Sequence, residues 1–103
     1  MVTIEEALQY LGIDYADDTV TANVRRALNT AERVLKGAIG SDWETYLPDD
    51  PRATELTLIY LDDLYSDHGV VSSKVSNATR RMVSDMELQL RLELRRAKEA
   101  AGA

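Results

Sequence analysis

Apolar residues recur along this chain at helical spacing, in stretches separated by short polar segments that hold most of its glycines and both of its prolines. Ile4, Ala7, Leu8 and Leu11 give a first short helix, over about residues 3–11, a single apolar face. Thr3 and Glu6 have the spacing of a capping box, and Gly12 stands where a helix-ending glycine belongs. The segment GIDYADD then places Asp14, Asp17 and Asp18 ahead of a second helix over about residues 18–39. Carboxylates there accept hydrogen bonds from the free N–H groups of the first turn and complement the helix dipole. Val20, Val24, Ala27, Leu28, Ala31, Leu35 and Ala38 form the apolar stripe of this second helix, and Gly40 ends it.

SDWETYLPDDP, residues 41–51, reads as a loop, with Asp50 and Pro51 set as cap and first residue of a third helix over about residues 51–68. Leu56, Leu58, Ile59, Tyr60, Leu61, Leu64 and Tyr65 make that helix apolar on nearly every side, the pattern of a central element covered by several neighbours. Gly69 closes it, and residues 69–76 form a second loop in which Ser76 or Asn77 caps a last helix over about residues 77–100. At roughly 1.5 Å per residue that helix is about 36 Å long, as long as a domain of this size is wide, so it spans the body or projects from it. Met82, Val83, Met86, Leu90, Leu94 and Ala97 make one stripe, while Leu88 and Leu92 lie well off it. This surplus of apolar surface reads as a subunit interface or, alternatively, as part of a wider intramolecular core. The expected architecture is all-α, a single-domain bundle of four helices with a long C-terminal helix, and the AAGA tail is expected to fray.

Charge sharpens this picture. Residues 1–69 hold fourteen acids and five bases, whereas residues 70–103 hold seven bases and four acids. The acidic body argues against a DNA-clamping surface, because phosphate affinity depends on Lys and Arg displacing counterions. The basic last helix suits an acidic partner surface, the body of another copy included, or is simply a solvated face. Arg80 and Arg81 open that helix against its dipole, which suggests acidic partners for them across a subunit boundary. Trp43 and Tyr46, set among polar neighbours, either fold their loop onto the body or anchor a second contact. With no cysteine in the chain, disulfides and thiolate metal sites are excluded and a reducing cytosol is the expected site of synthesis. No secretory signal and no membrane-spanning run is expected.

Candidate chemistry is sparse. His68, the single histidine, falls where it meets the last carbonyls of its helix. Asp63 and Asp67, with Asp62 and Glu55, form an acidic face of the kind that holds magnesium in all-α nucleotide pyrophosphatases. Such a site needs acids from a second helix, and only Glu32 is offered there. No nucleophile elbow or glycine-rich phosphate loop occurs, so no catalytic, cofactor or metal residue is expected.

The opening TIEEALQYLGIDYADD, followed at once by the long helix TANVRRALNTAERVLKGAIG, resembles the head–tail connector, or DNA-packaging adaptor, proteins of tailed phages. The apolar helix ATELTLIYLDDLYSDHG, a serine-containing loop and a final helix rich in leucine and arginine, MELQLRLELRR, continue the likeness over essentially the whole chain. The last helix is longer than that family's pattern. The resemblance implies a ring of about a dozen copies under the portal at the virion neck, with DNA passing through the centre and later neck or tail proteins attaching below. It implies a structural, non-enzymatic protein with no cofactor and no membrane. It also directs attention to the last helix as the part that reaches the portal, especially Leu88, Arg91, Leu92, Arg95 and Arg96; Arg80 and Arg81 join these contact candidates from their placement against the dipole, and Trp43 and Tyr46 stand as a candidate second interface from their aromatic character alone. The competing readings are a helical DNA-binding packaging subunit and a magnesium-dependent pyrophosphatase.

Overall fold

The computed structural model describes residues 2–66 and 77–102. Among them the chain forms five helices and no strand: α1 (Ile4–Tyr10), α2 (Asp18–Ile39), α3 (Trp43–Tyr46), α4 (Pro51–Ser66) and α5 (Asn77–Ala100). His68, Asp67, the 69–76 loop and the Ser76 cap lie outside the described residues.

Local chemistry sets most of the boundaries. The capping box closes α1 as its spacing predicts: Thr3 Oγ1 accepts from the Glu6 amide at 3.1 Å, and the Glu6 carboxylate accepts from the Thr3 amide at 3.2 Å. The chain leaves α1 through Gly12, whose φ of 74° suits a residue without Cβ. Of the three linker aspartates, Asp17 is the cap of α2, its Oδ1 accepting from the Val20 amide at 2.8 Å. At α4, Asp50 Oδ1 accepts from the Arg52 amide at 2.9 Å, and Pro51 occupies the first turn, where its missing N–H costs nothing.

The bundle packs around the α2–α4 pair. On one side, Leu61 joins Val24, Leu28 and Ala31 of α2 and Ala7 of α1 in one cluster, with Val2 folded under it. On the other, Ala53 and Leu56 meet Leu35 and Ile39 of α2 and Leu90 and Leu94 of α5. Leu58, Tyr60, Leu64 and Tyr65 fill the flanks while Ile59 packs on neither cluster, so the helix that reads as apolar on nearly every side shares the centre with α2, which runs through both clusters. Thr57 is its buried polar residue, and its hydroxyl donates to the Ala53 carbonyl at 2.8 Å.

Two expectations need correction. The 41–51 segment is not loop throughout, because Trp43–Tyr46 coil into the short helix α3. Met82 does not belong to the inner stripe of α5 and is 46% exposed. At about 100° per residue it sits some 80° from Leu90, beyond the width of the facing core.

Candidate functional site

The longest helix defines the site, because its two faces have opposite fates. Leu90 and Leu94 point into the body and are buried, with Val83 and Met86 half-buried beside them. On the reverse face Leu88 and Leu92 are 48% and 43% exposed, which places the surplus apolar stripe outside the intramolecular core.

Polar latches hold α5 in this rotation. The Arg52 guanidinium, carried on α4, donates to Glu93 Oε1 at 3.0 Å and to Asp50 Oδ2 at 3.0 Å, tying the start of α4 to the middle of α5. Lys98 pairs with Asp42 at 2.6 Å and lies over the Tyr46 ring, 5.9 Å from its centroid. Arg91 Nη1 donates to the Ala38 carbonyl near the end of α2 at 3.2 Å, and the Tyr60 hydroxyl donates to the Glu87 carboxylate. Apart from Arg52–Asp50, two residues apart, these pairs have no local sequence signal, since their partners stand far apart along the chain and meet only when the helices pack.

The latches perturb their carboxylates. The hydrogen bond from Arg52 holds both Asp50 and Glu93 below the usual carboxylate range, and the Lys98 ammonium does the same for Asp42. Burial, then the hydrogen bond that its hydroxyl donates to the Glu87 carboxylate, raises Tyr60. A carboxyl whose folded pKa is depressed contributes stability above its unfolded pKa and loses that contribution as pH falls through the folded value. The attachment of α5 is therefore expected to weaken below about pH 4. Thermal melts compared at about pH 6 and pH 3 should show a larger acid loss for the native chain than for Arg52→Gln, which lacks the clamp. Equal losses would remove the clamp from the account.

The predicted contact residues divide accordingly. Arg81, Leu88, Leu92 and Arg95 share the outward line of α5, with Arg96 on one flank, and all are exposed. Arg91 is also exposed but reaches back to the body, and Arg80 lies toward the side of the helix rather than on the outward line. The second proposed interface does not hold as a unit. Trp43 is 5% exposed and packs in the core cluster with Leu35 and Leu94, so the loop-folding reading describes it, whereas Tyr46 is half-buried under Lys98. Among the described residues the Trp43 indole N–H finds no hydrogen-bond partner.

Among the described residues, which exclude Asp67, the acids of the candidate magnesium face do not assemble into a cation site. Glu32 is raised by burial and by Glu44, whereas Glu55 and Asp62 exert their field on Tyr10, whose hydroxyl is raised chiefly by burial. Among the described residues, no three His, Cys, Asp or Glu side chains group so as to hold a metal ion. No described helix is long and apolar enough to cross a membrane. Comparison with protein-family models, with curated proteins and with solved structures finds no match to this chain.

Proposed function

We propose that this protein is a structural adaptor of a tailed-phage particle, a head–tail connector that docks through α5 beneath the portal and joins head to tail. The observation that carries this reading is the outward placement of Leu88 and Leu92 on a basic helix latched to an acidic body. A rigid helix with two exposed leucines among arginines supplies the apolar anchor and charged rim that protein interfaces use. The order of elements adds support, since a short capped helix, an LGID turn, an acidic run and a long helix follow as in that family. In this reading copies close into a ring, and DNA passes through the centre as cargo, meeting an acidic body that offers no counterion release. Segment 41–50 or 69–76 then meets the next neck protein.

The test is Leu92→Glu. Because Leu92 is exposed, the variant is expected to keep the native stability to within about 0.5 kcal/mol and yet lose binding to purified portal rings in co-sedimentation. A variant that still binds portals, or a native chain that never does, overturns the reading.

A further inference from the structure

The outward face of α5 has a pattern beyond its two leucines. Residues 81, 85, 88, 92, 95 and 99 recur at alternating steps of four and three, the seam of a coiled coil, and all six are exposed. In order they read Arg81, Asp85, Leu88, Leu92, Arg95 and Glu99. The apolar pair sits in the middle, with one basic and one acidic residue on each side. Among the described residues none of the four charged members forms an ion pair within the chain.

We propose that a second copy of this chain pairs with this face in antiparallel orientation, about a two-fold axis at the level of Leu90. In that register Leu88 meets Leu92 of the other copy, Asp85 meets Arg95, and Arg81 meets Glu99. Every pair occurs twice by symmetry, so the interface is self-complementary, as a two-fold contact must be. The charges also reject the alternatives. Parallel pairing sets Arg81, Asp85, Arg95 and Glu99 each against itself, four like-charge contacts. A slip of one heptad sets Leu88 against Asp85 or Glu99 and leaves the leucines facing charges. Only the antiparallel register centred on Leu90 satisfies all six positions.

The geometry permits the approach. Leu90 and Leu94 hold the opposite side of α5 on the body, so both bodies point away from the seam. Arg91, which flanks the seam near the axis, is drawn back by the Ala38 carbonyl, which turns its charge away from the same residue of the other copy. The seam is about 27 Å long and has only two adjacent apolar layers, so the association is weak, with a Kd on the order of 10 µM. Nothing in this pairing depends on the connector reading, because it needs no portal. In that reading it would keep the two leucines covered until a portal displaces the second copy.

Sedimentation equilibrium on the full chain tests it, with charge-swapped variants at exposed positions. The native chain is expected to show a monomer–dimer equilibrium. Asp85→Arg and Arg95→Asp, each alone, place two like-charge contacts in the dimer and should weaken it roughly tenfold or more. Mixed together, the two variants restore both ion pairs in a heterodimer and should recover close to native affinity. Unchanged melting temperatures establish that the swaps leave the monomer folded. A native chain monomeric at about 1 mM, far above the expected Kd, overturns the proposal. So does a dimer indifferent to both swaps, or one in which Asp85→Arg pairs better with the native chain than with Arg95→Asp.

Discussion

Leu90→Ala is expected to destabilise the protein by about 3 kcal/mol, whereas Leu92→Ala, two residues further on, should change stability by less than about 0.5 kcal/mol. Leu90 is fully buried in the cluster where α5 meets Leu35, Ile39, Trp43, Ala53 and Leu56. Truncation removes the transfer energy of its side chain and leaves a cavity that the rigid α2 and α4 walls close only in part. The clamp from Arg52 and the Lys98–Asp42 pair still hold α5 in place, so the cavity persists. A loss near 3 kcal/mol is a large share of the roughly 5–15 kcal/mol that stabilises a domain of this size. At about 4–8 °C per kcal/mol it should lower the melting point by some 12–24 °C. Leu92 carries a side chain of the same size on the solvent face, and its truncation removes no intramolecular contact of comparable weight. Both measurements belong at submicromolar protein, below the range in which copies pair. Equal losses for the two variants would mean that α5 is rotated differently on the body.

Gly40→Ala is the second change with a large expected effect. Gly40 ends α2 with φ 133° and ψ 137°, a backbone conformation that residues with a Cβ rarely adopt. A Cβ built there would lie 2.6 Å from Leu94 Cδ2, too close for two carbons. Leu94 is itself buried at 4% exposure against Leu90 and Trp43, so it has little room to withdraw. Strain and overpacking together are expected to cost about 3 kcal/mol, read as a fall of roughly 12–24 °C in melting temperature. Gly37→Ala is the matched control. Gly37 lies in α2 with nothing within 4 Å of its added Cβ, so alanine there should stabilise the helix by about 0.5–1 kcal/mol. Destabilisation by both, or by neither, would contradict the role assigned to Gly40 at the α2 exit.

Much of this arrangement is written locally in the chain. Thr3 and Glu6 announce the start of α1 because a capping box satisfies two orphan amides through side chains three residues apart. The stripe from Val24 to Leu35 is legible because helical periodicity alone places those residues on one face. The separation of Leu88 and Leu92 from the Leu90 stripe follows by the same rule, since they lie about 160° from Leu90 around the helix. Where the reading missed or left a choice open, the missing information is tertiary. Trp43, set among polar neighbours, reads as a clamp folding its loop onto the body, with a contact anchor as the alternative, and the structure agrees with the clamp. Its burial depends on Leu35, Ala53 and Leu94 forming a site for it, which no local pattern records. Met82 fits the inner stripe by residue type but sits at its edge, and only the width of the facing core decides that it stays in solvent.

The sequence by itself determines the helical class, the caps of α1, α2 and α4 and the division of α5 into two apolar stripes. These follow from interactions between residues a few positions apart, whose geometry the helix itself supplies. Only the tertiary structure decides which stripe of α5 is buried and which residues latch it there. Arg52 finds Glu93, Lys98 finds Asp42 and Arg91 finds the Ala38 carbonyl only once packing has brought three helices together, because such contacts join segments whose separation along the chain carries no geometric information. That choice leaves Arg81, Asp85, Leu88, Leu92, Arg95 and Glu99 in a row on the outside, available to another chain.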